Sequence, residues 1–327
     1  MRGWSIFAAA MLFVLAVAAP ACAQAPKGPG LWMRKAPMLM IRGEVAVAAL
    51  GGKIYVVGGS TAGRYALTTN EAYDPATESW LERAPLPQAL SHLGLVAVGG
   101  ALYAIGGFAS TTADHEAAVA TLYAYDPKSD SWRVRAPMRA ARGSVGAAVL
   151  DGKIHVVGGR GLDKQVVATH EIYDPATDSW RPAAPLGRAR DHLAAIAAEG
   201  RIHAIGGRTA TLFDNSDSHE VYDPAGDRWD PAAPLPTPRS SSAATLLGSL
   251  ILVAGGECRN NTTYAENEGY DLKTGKWAFL SPLPAGRHAF GAATAGDTAY
   301  FIGGSTGCGG TGVGNDVLGF RLPAQRQ

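Results

Sequence analysis

KIYVVGG, at Lys53–Gly59, is a short β-branched and aromatic run closed by two glycines, and it returns five more times. The copies are ALYAIGG (Ala101–Gly107), KIHVVGG (Lys153–Gly159), RIHAIGG (Arg201–Gly207), LILVAGG (Leu250–Gly256) and TAYFIGG (Thr298–Gly304). Successive glycine pairs lie 48, 52, 48, 49 and 48 residues apart. A fixed period near fifty marks one supersecondary unit copied six times and stacked to bury a face no copy buries alone. Each run reads as a strand whose closing glycines take a conformation other residues adopt poorly.

Working outward from the glycines, the preceding segment of each unit is rich in small residues: EVAVAALGG at Glu44–Gly52, GSVGAAVLDG at Gly143–Gly152, FGAATAGD at Phe290–Asp297. Small side chains suit a strand where several sheets converge on one axis. Downstream comes a repeated turn between two further strands: YDPATESW at Tyr73–Trp80, YDPKSDSW at Tyr125–Trp132, YDPATDSW at Tyr173–Trp180. Looser copies are YDPAGDRW at Tyr222–Trp229 and YDLKTGKW at Tyr270–Trp277. An Asp before Pro is turn chemistry, since the carboxylate caps backbone N–H groups while Pro presets φ. The spaced Tyr and Trp give each unit two large aromatic surfaces for packing on its neighbour.

Double glycine, then Tyr, then Trp, in blocks near fifty, resembles the kelch-repeat family over residues 31 to 322. The resemblance implies an all-β, six-bladed β-propeller with four antiparallel strands per blade. The phase of the ends predicts how the ring closes. Leu31-Trp32-Met33 aligns with the fourth strand of a blade, because Ala36-Pro37 follows it as Ala84-Pro85 follows Trp80. Phe320 stands where the repeat's Tyr belongs, with no Trp beyond it. The N-terminal strand is therefore expected to complete the last blade and so remove two open sheet edges. The expected organisation is a signal peptide at 1–23, a short linker at 24–30, one propeller at 31–323 and a tail at 324–327.

The N-terminus reads as an export signal. Arg2 precedes an apolar run from Ile6 to Ala19, and Ala21-Cys22-Ala23 supplies small residues for cleavage before Gln24. The run is too short to span a bilayer. Lipidation of Cys22 is the alternative to simple cleavage, although Ala19 and Pro20 fit a lipid-attachment box poorly. Cleavage removes one base and no acid, so the formal charge of +1 falls to zero. A neutral chain argues against broad binding to nucleic acid or anionic membrane. Cys258 and Cys308 then remain, two and four residues past the glycine pairs of adjacent units; an exported compartment favours a disulfide over free thiols.

Two sets of connections, the loops after each Gly-Gly and the loops between blades, are expected on one face, with the D-P turns opposite. In kelch propellers the former face commonly binds the ligand. Five residues after each connector proline stand Arg42, Leu90, Arg142, Arg190, Arg239 and Arg287. These arginines either form a basic funnel for anionic groups or pair between blades with the repeated Glu71, Glu171, Glu220 and Glu268. Two residues further on stand Glu44, His92, Ser144, His192, Ser241 and Ala289, and directly after the glycines Ser60, Phe108, Arg160, Arg208, Glu257 and Ser305. Residues that break the repeat are the better functional candidates, so the expected ligand-binding set is Arg190, Asp191, His192, Arg160, Arg208, Arg142, His92, Phe108 and Glu257. Such a pocket suits an anionic carbohydrate or an acidic peptide.

The other histidines read as structural: His155 and His203 stand at the Tyr55 and Tyr103 position, His170 and His219 at the Asn70 and Asn267 position, and His115 is alone in a loop. No pair of histidines has a metal-ligand spacing with a carboxylate, so no metal site and no cofactor are expected. There is no G-x-S-x-G and no phosphate-cradling loop. The leading expectation is thus a monomeric, periplasmic or secreted binding protein that recognises a protein or an anionic carbohydrate, with no nucleic-acid partner and no membrane insertion. The alternative is an enzyme similar to the periplasmic sialic-acid mutarotases of kelch fold. Glu44, His92, His192 or Glu257 would then serve as acid–base group, although the long inter-strand insertions expected of that family are missing. The copper oxidases of this fold need a Tyr–Cys pair and two His ligands, which the two cysteines do not match. Purified exported protein should begin at Gln24 by intact mass and N-terminal sequencing; retention of residues 1–23, or a lipid adduct on Cys22, would contradict this.

Overall fold

The computed structural model describes residues 27–109 and 117–323. The expected signal peptide, Cys22, His115 and the 324–327 tail lie outside the described residues. Six four-stranded antiparallel sheets surround a common axis. Blade 1 comprises Ala46–Leu50, Lys53–Val57, Asn70–Asp74 and Ser79–Glu82. Blades 2 to 5 repeat this order, starting at Gly94, Gly146, Ala194 and Ala243. Blade 6 takes Gly291–Ala295, Thr298–Ile302 and Val317–Arg321 from the C-terminal end and Leu31–Lys35 from the N-terminal end. Leu31 pairs with Arg321 and Lys35 with Val317 in antiparallel register, so the first strand closes the ring as its phase predicted.

Alternation within each blade follows from position. The second strands are buried on both faces, as in Ile54, Tyr55, Val56 and Val57, because each is covered by both neighbouring blades. The fourth strands lie at the rim, and their residues are exposed or half-buried. The tryptophan on each fourth strand donates its indole N–H to the blade before it: Trp80 to Ala36 O at 2.9 Å, Trp132 to Ala84 O, Trp180 to Ala136 O, Trp229 to Ala184 O and Trp277 to Ala233 O. Trp32 does the same to Ser281 O at 2.8 Å, so the closing strand keeps the contact of its five counterparts. The D-P turns also hold as expected, with Asp74 and Asp174 accepting from the N–H of Ala76 and Ala176 at 3.0 Å.

Two further interactions fasten blades together at the other face. The second glycine of each pair donates its N–H to the next blade's connector, for example Gly159 to Arg190 O at 3.0 Å. The first glycine is held at positive φ and pressed close: a Cβ on Gly158 (φ 63°) would stand 2.4 Å from Arg190 O. Nearer the axis, Glu44, His92, Ser144, His192, Ser241 and Ala289 form a closed ring of backbone hydrogen bonds. Each N–H donates to the preceding member's carbonyl: His92 to Glu44, Ser144 to His92, His192 to Ser144, Ser241 to His192, Ala289 to Ser241 and Glu44 to Ala289. All six have φ between 52° and 59°, a left-handed conformation uncommon for residues with a side chain.

The repeated arginines are buried ion pairs. Arg142 Nη1 reaches Glu171 at 2.6 Å and its Nη2 donates to Val156 O at 3.2 Å. Arg42 with Glu71, Arg190 with Glu220 and Arg239 with Glu268 repeat the arrangement, and Arg287 uses Asp316 at 3.2 Å. The pairing joins a connector to the third strand of the same blade, not one blade to another as the sequence suggested. Between blades it is the arginine's backbone carbonyl that makes the link. Burial pushes the guanidinium of Arg42 down to about 10 and those of Arg142 and Arg190 also downward, opposed by the carboxylate partner. Blade 2 replaces both partners at once, with Leu90 and Tyr123 packed in one apolar cluster.

The buried histidines form two matching pairs. His155 Nδ1 lies 3.0 Å from His170 Nε2, whose Nδ1 donates to Ala184 O at 3.1 Å. His203, His219 and Ala233 O repeat this at 2.9 and 3.0 Å. The slot is structural, because Asn70 and Asn267 donate to Ala84 O and Ser281 O from the same position.

Removing one partner of a buried pair should cost far more than exchanging both. Arg142→Leu leaves Glu171 as an uncompensated buried charge and should lose about 3–5 kcal/mol in urea denaturation. Adding Glu171→Tyr, which recreates the blade 2 pair, should recover most of that loss; a double variant as unstable as the single would refute the account. The histidine pairs predict a pH dependence. Burial lowers His155 to about 3 and His170, His203 and His219 to about 4, against about 6.5 unfolded. Their contribution is fully present above pH 6.5 and is lost as pH falls toward 4, at about 1.4 kcal/mol per pH unit for each histidine protonated on unfolding. His155→Tyr with His170→Asn, the blade 1 residues, should flatten the denaturation profile in that window.

Candidate functional site

The ring of left-handed residues surrounds the mouth of the axial channel on the face of the connectors and post-Gly-Gly loops, and its side chains line a cavity of about 120 Å³. One layer further out, each residue preceding a ring member bridges to the residue after its own blade's glycine pair: Ser91 to Phe108, Gly143 to Arg160, Asp191 to Arg208 and His288 to Ser305. The sequence rows that break the repeat are therefore brought to one place by the backbone itself.

The side chains form one polar network around this mouth. Asp191, fully buried, accepts from Arg208 Nε at 3.1 Å and from His192 Nδ1 at 3.0 Å, with Arg160 Nε at 3.7 Å. Arg208 also donates to Glu257 at 2.7 Å and has its Nη2 3.3 Å from His192 Nε2. Glu257 faces His288 Nδ1 at 3.7 Å, and His288 Nε2 lies 3.0 Å from Gly307 O. On the other side, His92 Nε2 is 3.1 Å from Glu44 and its Nδ1 3.1 Å from Ser91 Oγ. The His92 ring meets those of His192 and Phe108 edge to face at 5.3 and 5.2 Å, and Arg160 covers Phe108 at 5.4 Å.

Electrostatics follow from this crowding. Burial alone would raise Asp191, but His192, Arg208 and Arg160 bring it down to about 2. Burial likewise opposes ionisation of Glu44, and the surrounding imidazoles, His92 first, hold it well below the usual carboxylate range. His192 is pushed down by burial and by Arg208, against the pull of Asp191.

Of the nine residues expected to bind ligand, Asp191, His192, Arg160, Arg208, His92, Phe108 and Glu257 lie in this network. Arg142 and Arg190 do not: they are buried beneath the mouth in their ion pairs, 1% and 0% exposed. Sequence reasoning passed over His288, although it occupies the same alignment row as Asp191. Local spacing also excluded any metal-ligand set, yet Glu44, His92 and His192 place one donor atom each within 4.8 Å of one another. They come from blades 1, 2 and 4, so no spacing along the chain reveals them. Cys258 and Cys308 form a disulfide with Cα atoms 5.5 Å apart, tying two loops of this face. Larger clefts of 560 and 590 Å³ lie on the opposite face, but no buried charged residue lines them.

Comparisons with known proteins agree with this architecture. Residues 94–304 match the family described as KLHDC2/KLHL20/DRC7 Kelch-repeats domain, and residues 41–87 match the Kelch motif. Mouse Kelch-like protein 35 is 28% identical over 131 residues, 39% of this chain and 21% of its own length. The match thus spans about a fifth of that relative. The solved structure of YjhT superposes with a TM-score of 0.75 at 17% identity, covering 87% of this chain and 96% of that one, a likeness of fold.

Proposed function

The chain belongs to the kelch-repeat family, whose propellers commonly bind proteins, and on that premise we propose that it is an exported, non-catalytic protein that docks a partner protein on its loop face. The observation that carries this reading is the distribution of exposed apolar side chains. Among the described residues, Leu39, Ile41, Tyr65, Leu162 and Phe213 stand out from connectors and post-Gly-Gly loops of blades 1, 3 and 4, between 39% and 69% exposed, whereas Leu31, Leu81, Val134 and Phe279 stand singly on the outer strands of four different blades. They share a face with the polar mouth, and apolar anchors on the same face as a patch of paired charges are the composition of a protein-binding surface. The mouth cavity, at about 120 Å³, is small beside the roughly 300–1,000 Å³ of a usual small-molecule pocket. Its guanidiniums are already engaged by carboxylates, Arg208 by Asp191 and Glu257 and Arg160 by Asp191, which leaves little cationic character for a carboxylated sugar. Export is supported by the N-terminal segment and by the disulfide, which suits an oxidising compartment. Among the described residues no helix is long and apolar enough to cross a membrane.

A photo-crosslinking amino acid at position 162 or 213, in cells producing the protein, should yield discrete adducts. The same probe at the outer-strand positions 81 and 134, on the rim, should not. Phe213→Ala with Leu162→Ala should abolish adducts formed from position 65. A thermal-shift panel of sialic acids, uronic acids and neutral sugars should leave the melting temperature unchanged. A sugar acid that raises it by several degrees would overturn the proposal in favour of carbohydrate binding or of the mutarotase-like alternative.

A further inference from the structure

We propose that Glu44, His92 and His192 form a binding site for one divalent first-row transition-metal ion, such as Zn²⁺, at the mouth of the axial channel. The three donor atoms, a carboxylate oxygen and two imidazole nitrogens, lie within 4.8 Å of one another, with the Glu44–His92 pair at 3.1 Å. Bonds of about 2.0–2.2 Å to a tetrahedral ion set its ligand atoms roughly 3.3–3.6 Å apart, which the Glu44–His92 pair nearly matches and wider pairs reach by side-chain rotation toward the ion. Two nitrogens and one oxygen suit Zn²⁺ and its neighbours, whereas Ca²⁺ and Mg²⁺ require oxygen shells.

The surroundings orient the donors. His192 gives its Nδ1–H to the buried Asp191 at 3.0 Å, which leaves the Nε2 lone pair directed at the axis. Both other groups near Nε2, Ser144 Oγ and Arg208 Nη2 at 3.3 Å, are able to donate to that lone pair. The Ser91 hydroxyl at 3.1 Å serves His92 Nδ1 in the same way, turning its Nε2 toward Glu44. An imidazole whose far nitrogen is held by a carboxylate or hydroxyl is the usual support of a metal ligand. Arg208 would release His192 on metal binding while keeping Asp191 and Glu257.

The backbone points the same way. All three ligands sit at φ of 52° to 54° in the hydrogen-bonded ring, a conformation that costs energy in residues with side chains and recurs at functional sites. The ring thereby fixes their Cα positions before any ion arrives. The cavity of about 120 Å³ accommodates an ion with a few waters, and the remaining coordination positions open to solvent.

The test uses the mature full-length protein, stripped with EDTA and titrated with Zn²⁺ against a chromophoric chelator. The expected result is saturable binding of one equivalent. His92→Ala and His192→Ala should each weaken it by at least about 100-fold, and Asp191→Asn by about tenfold through its hold on His192. His203→Tyr, which alters a buried imidazole elsewhere, should bind as the wild type does. Should either alanine variant fail to fold, the visible d–d bands of Co²⁺-loaded protein provide the reading, and Glu44→Gln should change them. Absence of one-equivalent binding, undiminished binding in the ligand variants, an equal loss in His203→Tyr or unaltered Co²⁺ bands would each overturn the proposal.

Discussion

Six backbone hydrogen bonds that close on themselves around the axis are the constraint on which the remaining architecture rests. Each joins one blade to the next through a residue held in the left-handed region. A chain of such bonds closes only if every blade contributes the same geometry, and the ring leaves no place for a blade of different pitch. Small residues on the inner strands allow the sheets to approach closely enough for this, and the indole bonds at the rim fix the angle at which adjacent blades meet. The strand Leu31–Lys35 then completes the circle, so that the first and last strands of the propeller are held in one sheet.

The same ring creates the candidate site. A left-handed residue turns its side chain out of the strand direction and toward the mouth, so six adjacent positions converge on a small volume. Where those positions carry Glu, His and Ser they make a polar bowl. Buried Arg–Glu pairs lie directly beneath it in blades 1, 3, 4 and 5, and blade 6 uses the half-exposed Asp316. Those pairs are architectural, since blade 2 dispenses with both partners together and retains the same fold. The mouth network differs in kind, because its members come from unlike positions and each blade contributes something different.

Much of this was legible in the sequence. The Gly-Gly period, the aligned Trp32 and the truncated last unit were sufficient for six blades and for the closing strand. Alignment on the glycines also separated repeated residues from exceptions, and the seven exceptions among the nine residues chosen all lie in the mouth network. Arg142 and Arg190 were misplaced because a row of arginines looks alike whether it faces solvent or a buried glutamate. The buried glutamates were visible, but whether they lay in the same blade or the next was not.

What the sequence determined by itself was everything periodic: strand order, turn chemistry, blade number and the rows in which functional residues had to fall. These follow from local preferences repeated six times, and repetition makes a weak local signal decisive. What only the tertiary structure decided was which members of different rows meet. Glu44, His92 and His192 lie 48 and 100 residues apart along the chain, and His288 approaches Glu257 from another blade. Their contacts depend on the curvature that closes the ring, a property of all six blades together that no single repeat encodes.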